Sequence, residues 1–147
     1  MTRRLLLDRL RSHPYAVQSS VSVDGRPQSA VVGVAVSDEL EIVFDTVESS
    51  RKAVNLTRDP RIAFVFGSML PDASWGIQVE GLADQPTGAE RDRLAALYLS
   101  VFPDGAERQR WSGITYFRVR PTWIRSSDYA PDPPEILEFD RQALQLL

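Results

Sequence analysis

Apolar residues alternate with polar ones through most of the chain, and turn residues cut the pattern at short intervals. Tyr15 to Val23 has strand composition, Asp24-Gly25 is a two-residue hairpin signal, and Pro27 to Val36 is rich in valine. Together they predict two antiparallel strands joined directly. After the turn residues Ser37-Asp38-Glu39, Leu40 to Phe44 predicts a third strand, Arg61 to Phe66 a buried fourth and Trp75 to Ala83 a fifth. Ile114 to Arg125 reads as a sixth, broken at Pro121 because proline cannot donate to a ladder. Three stretches carry helical spacing instead. Leu5, Leu6, Leu7 and Leu10 mark a short amphipathic helix over Arg3 to Leu10 that Pro14 ends. Arg51 to Arg58 is closed by Asp59-Pro60, since a residue before proline avoids helical geometry, and Glu90 to Tyr98 places Leu94, Leu97 and Tyr98 along one stripe.

Six short strands with mostly hairpin-length links, and helices only at strand ends, give a fold that is mainly β with inserted helices. A small antiparallel barrel is the architecture that closes such a sheet. The 147 residues form one domain, in which residues 130–147 are a C-terminal tail whose Pro131-Asp132-Pro133-Pro134 excludes regular structure at that point.

Composition narrows the chemistry. The absence of cysteine removes disulfides and thiolate metal sites, and the single histidine, His13, leaves no basis for a zinc site or a histidine-based triad. A net charge of −3 argues against a nucleic-acid partner. No apolar run approaches the roughly 20 residues of a membrane crossing, so the expected location is cytoplasmic. Lys52 is the only lysine, the other sixteen cationic residues being arginine, a bias that fits a GC-rich genome.

The most informative segment is Thr46 to Lys52. A strand ends at Phe44, Thr46, Ser49 and Ser50 bring hydroxyls, and a helix opens with Arg51 and Lys52. Serine is an ordinary N-cap. Two cations in a first turn are not ordinary, because the helix N-terminus already carries about half a positive charge. Hydroxyls, cations and free backbone N–H groups at one spot make sense if a phosphate completes the site. The plainer alternative is that Glu48 neutralises part of the charge and both side chains point into water.

The run Phe44-Asp45-Thr46-Val47-Glu48-Ser49-Ser50-Arg51-Lys52, continued by Asn55-Leu56, Asp59-Pro60-Arg61 and the strand Ile62 to Phe66, resembles the flavin-binding split-barrel proteins related to pyridoxamine 5'-phosphate oxidase. The resemblance extends upstream to Ser20 through Gln28 and downstream to Gln78-Val79-Glu80-Gly81, and more weakly to Arg118-Val119-Arg120-Pro121. It implies a six-stranded antiparallel split barrel that forms a homodimer, with flavin mononucleotide (FMN) in clefts between subunits. Thr46, Ser50, Arg51 and Lys52 would then hold the phosphate, and the strand carrying Gln28, Ser29, Ala30 and Val31 would lie along the isoalloxazine ring. The implied activity is an FMN-dependent oxidoreduction with a small-molecule substrate or a nicotinamide reductant. Related proteins use a deazaflavin coenzyme or haem instead, and a non-catalytic flavin-binding or sensing module is the alternative from another class. With one histidine, haem fits least.

The sequence also departs from the oxidase. Where the oxidase has an Arg and a Lys on the second strand, this chain has Ala30-Val31-Val32-Gly33-Val34-Ala35, and it lacks the oxidase's C-terminal arginine and histidine. Oxidation of pyridoxamine 5'-phosphate itself is therefore not expected. Trp75 and Trp111 could stack on a flat cofactor, although interface burial is the commoner fate of tryptophan. Arg118 and Arg120 share one face of a strand and Arg125 the other, the expected fate being a solvated face, with Asp128 a possible partner for Arg125.

Overall fold

The computed structural model describes residues 1–71 and 73–147. In chain order the elements are α1 (Arg3–Ser12), β1 (Tyr15–Val21), β2 (Pro27–Gly33), β3 (Ala35–Val36), β4 (Ile42–Val47), α2 (Arg51–Arg58), β5 (Arg61–Leu70), β6 (Ala73–Asp84), α3 (Gly88–Val101), α4 (Gly105–Arg108), β7 (Ile114–Asp128), β8 (Glu135–Asp140) and α5 (Arg141–Leu146). The strands form one antiparallel sheet in the order β2-β1-β5-β6-β7-β4-β3, with β8 also paired to β7. The long β7 pairs β6 along one edge, while on its other edge β4 takes the first half and β8 the second.

The sheet curls around a core of Ile42, Phe44, Phe64, Phe66, Ile77, Phe117 and Ile124, which α1 and α2 plug with Leu6, Leu10 and Leu56. A second, smaller cluster of Val43, Leu94, Tyr98 and Tyr116 lies beneath α3. Neighbouring residues of a strand point to opposite faces, so Phe44 serves the first cluster and Val43 the second, and both are fully buried. The fold is therefore mainly β, an antiparallel split barrel, as the hydrophobic pattern predicts.

The described residues contain eight strand segments rather than six, for two physical reasons. The valine-rich second strand is interrupted at Val34, whose N–H leaves the ladder and donates to the Pro14 carbonyl at 2.7 Å. In the tail, Pro131 to Pro134 is irregular as expected, but Glu135–Asp140 adds to β7 and α5 buries Leu144 in the main core. Pro121 does not break its strand either. The β6–β7 register shifts at Glu80/Gly81, where Glu80 faces Trp123 and Gly81 faces Pro121, leaving Thr122 as the extra residue of a bulge. Gly81 is required there, because a Cβ would lie 2.7 Å from a Val119 methyl and 2.8 Å from the Arg120 carbonyl oxygen. Finally, β4 continues past Phe44 to Val47, so Thr46 is a strand residue and the turn is confined to Glu48 to Ser50.

Candidate functional site

Strand β4 ends one turn before α2 begins, and this junction brings the predicted hydroxyls together. Ser50 has extended backbone (φ −67°, ψ 151°) and caps α2, its Oγ accepting the Ala53 N–H at 3.2 Å. The Thr46 and Ser50 hydroxyls lie 2.9 Å apart. The first turn of α2 has no acidic residue. Among the described residues no carboxylate lies within 4.0 Å of Arg51 or Lys52, so Glu48 does not neutralise either one.

Arg51 and Lys52 line a recess of about 220 Å³ whose opposite wall is made by Gln18, Ser20, Gln28, Ser29 and Ala30 of β1 and β2. Hydrogen bonds from α2 hold that wall in place. Asn55, buried on α2, donates to the Ser20 hydroxyl at 3.1 Å and to Gln28 Oε1 at 2.9 Å. Gln18 is only 2% exposed, yet its Oε1 has no hydrogen-bond partner. β2 is an edge strand that exposes Ser29, Ala30 and Val31 in succession, so neither of its faces is covered at this point.

A second recess, of about 280 Å³, adjoins the first and shares Lys52 with it. Val31 to Gly33 form one side, with the Phe102 ring so close over Gly33 that a Cβ there would meet it at 2.7 Å. On the other side Asp45 accepts from the Tyr98 hydroxyl at 2.9 Å and from Arg108 Nε at 2.8 Å. Burial, reinforced by the Asp45 carboxylate, pushes the Tyr98 phenol above its usual range, so it stays a neutral donor.

The other candidates lie elsewhere. Trp75, at the start of β6, packs edge-on against His13 with ring centroids 5.0 Å apart and lines neither recess. Trp111 is exposed. Arg118 is not on a solvated face: it is 7% exposed and bonds to Asp84, Glu90 and the buried Glu41. Arg125 pairs with Glu138, while Asp128 pairs with Arg9. Sequence reasoning missed Gln18 and Ser20 as lining residues and left Asn55 without a role. The sequence carries no local signal for them: only the structure shows that β1 buries Gln18 and Ser20 while exposing Val17, the reverse of an ordinary half-buried strand.

The recess fits a phosphoester. It joins a capped helix N-terminus and two cations with no carboxylate partner among the described residues, which favour an anion, to the amide and hydroxyl groups of β1 and β2. Among the described residues there is no group of three His, Asp or Glu side chains placed to hold a metal ion, and no helix long and apolar enough to cross a membrane.

The pyridoxamine 5'-phosphate oxidase family model matches residues 4–128. No curated protein matches the chain in sequence. Among solved structures, a haem-binding protein from Mycobacterium smegmatis superposes with a TM-score of 0.81 at 17% identity, covering 94% of this chain. This chain spans only 57% of that protein's length. A pyridoxamine 5'-phosphate oxidase-related, FMN-binding protein from Nostoc punctiforme gives 0.70 at 15% identity over 93% of this chain and 87% of its own. A conserved hypothetical protein from Mycobacterium tuberculosis gives 0.70 at 22% identity over 100% and 89%. At these identities the structural likeness establishes the fold, and the family match adds descent: the chain belongs to the pyridoxamine 5'-phosphate oxidase family.

Proposed function

We propose that this chain binds FMN and serves as an FMN-dependent oxidoreductase whose substrate is a small molecule or a reduced nicotinamide. The observation that carries the reading is the junction of β4 and α2, where Arg51 and Lys52, with no carboxylate partner among the described residues, line one recess with Gln18, Ser20 and Gln28. Thr46 and Ser50 contribute hydroxyls and Arg51 and Lys52 charge to the phosphate. Gln28, Ser29, Ala30 and Val31 offer an uncovered strand edge to the ring system, and Asn55 fixes the Gln28 amide. The flavin supplies the electron chemistry. The chain's own residues bind and orient it, and the Phe102 ring over Gly33 closes one end of the site.

Both faces of a flavin are shielded only if a second wall is present, and a homodimer provides it. Val31 pairs across the strands with Val17, and Val17 with Val65, a row of three valines that are 69%, 39% and 52% exposed. A second copy covering that row would stand next to the uncovered edge of β2. Oxidation of pyridoxamine 5'-phosphate is not part of the proposal. Ala30 to Gly33 bring no cation, Arg118 and Arg125 are engaged by carboxylates, and Arg120 lines neither recess at the β4–α2 junction.

The absorbance spectrum of freshly purified protein, followed by anaerobic addition of a reduced nicotinamide, tests the reading. An FMN spectrum bleached by the nicotinamide supports an oxidoreductase, and one that persists supports a binding module. A deazaflavin spectrum keeps the phosphate site and changes the ring. A haem spectrum, as the name of the M. smegmatis protein would lead one to look for, refutes the assignment of the recess.

A further inference from the structure

The largest cavity among those described lies away from the α2 recess, at the end of the barrel where α1, the turn before β4, the β6–β7 bulge and α5 meet. It has a volume of about 630 Å³, within the range of small-molecule sites. Its walls combine two kinds of surface. Leu40, Leu82, Ala83, Pro121 and Leu144 make an apolar floor, and Arg3, Arg120 and Arg141 bring three guanidinium groups from distant parts of the sequence.

The charges are not balanced within the cavity. Glu41 and Asp84 also line it, but Arg93 and Arg118 hold the first at 2.8 and 3.4 Å, and Arg118 holds the second at 2.6 Å. Arg120 touches Asp84 only at 3.4 Å. Among the described residues Arg3 and Arg141 have no carboxylate within 4.0 Å, and the Arg3 Nε–H is buried without any acceptor. Arg3 and Arg141 therefore bring to the cavity positive charge that no carboxylate among the described residues offsets. Glu39, on the rim without a cationic partner among the described residues, opposes a second negative charge. That combination favours a single charge over a phosphate dianion.

We infer that this cavity binds an amphiphilic monoanion, a carboxylate on an aliphatic body, with Arg3 and Arg141 at the carboxylate and Leu40, Leu82 and Leu144 along the chain. Pro121 and Thr122, the β7 side of the bulge, form part of the wall of this cavity. The inference does not depend on the flavin reading, since none of these residues lines the α2 recess.

Calorimetric titration of the full chain with octanoate, acetate and 1-octanol tests it, alongside an FMN titration. The expected result is saturable octanoate binding at one per chain, with acetate and 1-octanol each at least tenfold weaker because each supplies only half of the recognition. The variant Arg3→Gln/Arg141→Gln should weaken octanoate at least tenfold and leave FMN binding unchanged. Leu82→Glu, at a position 42% exposed and so tolerant of charge, should weaken octanoate as well. Absence of saturable octanoate binding, acetate binding as well as octanoate, or octanoate affinity unchanged in both variants would overturn the inference.

Discussion

Arg51 and Lys52 occupy the positive end of α2, where each raises the energy of the ligand-free protein by some tenths of a kcal/mol. With a phosphate bound, each contributes a charge-assisted hydrogen bond worth about 1.5–3 kcal/mol. Stability and affinity therefore move in opposite directions on removal. Arg51→Ala and Lys52→Ala should each weaken FMN binding by roughly tenfold to a hundredfold, with the melting temperature of the ligand-free protein unchanged or slightly raised. Ser50→Ala is the contrast, because its Oγ satisfies the Ala53 N–H in either state. That variant should lose about 1 kcal/mol without ligand. Thermal melts of all three, with and without FMN, check both signs, and a variant with the full wild-type shift would remove that residue from the site.

The ion network around the buried Arg118 and Glu41 gives a second prediction at this scale. Hydrogen bonds from Arg118 hold Asp84 below its ordinary pKa, and those from Arg93 do the same for Glu90. A carboxyl with a depressed folded-state pKa binds fewer protons folded than unfolded, so its stabilisation is complete above about pH 4 and declines as pH falls through the folded value. Asp84→Asn should accordingly be less stable at neutral pH and lose less stability than wild type between about pH 4 and pH 2. Denaturant melts across that interval measure the difference, and parallel acid limbs would contradict it. Arg118→Ala should cost about 3 kcal/mol at neutral pH, since it leaves the buried Glu41 with Arg93 alone.

At the scale of elements, what could be read from sequence was whatever depends on neighbours in the chain. The hairpin forms with Gly25 at φ +81°, but through a longer loop than the two-residue Asp24-Gly25 turn the sequence suggests, because β1 ends at Val21 and β2 begins at Pro27; the Ser50 cap and the Asp59-Pro60 stop bound α2 as their chemistry requires. What depends on distant partners could not be read. The fourth strand reads as Arg61 to Phe66, yet β5 keeps pairing with β6 beyond it, through Gly67 opposite Gly76 and on to Leu70 opposite Ala73. Pro121 resembles a strand end, yet the bulge absorbs its missing donor. Arg118 resembles a surface residue until Glu41, Asp84 and Glu90 converge on it from three other segments. The phosphate-site hydroxyls and cations were legible because they lie within seven residues, whereas Gln18 reaches the recess only through the β1–β2 pairing. The bulge supplies this scale's test. Gly81→Ala forces the added methyl against the Arg120 carbonyl and should destabilise by about 1–3 kcal/mol. Gly76→Ala, whose nearest neighbour would be 3.8 Å away, should be neutral or slightly stabilising. Equal chemical melts for the two variants would mean that the bulge tolerates a side chain.

At the scale of the whole molecule, the uncovered edge of β2 and the valine row of β2, β1 and β5 lie on one continuous surface. The proposed homodimer covers both, so disrupting the row should separate the subunits and weaken flavin binding together. Val17→Glu/Val65→Glu should sediment as a monomer with reduced FMN affinity; a dimeric variant, or a monomer that binds FMN as wild type does, would show that the second wall comes from elsewhere. The central claim, that the β4–α2 junction is a phosphate site for a flavin, is tested most directly by titrating the ligand-free protein with FMN and with riboflavin, which share a ring system and differ in the phosphate. The account predicts one FMN per chain and riboflavin weaker by at least a hundredfold, the loss of two charge-assisted contacts. Equal affinity for the two would contradict it.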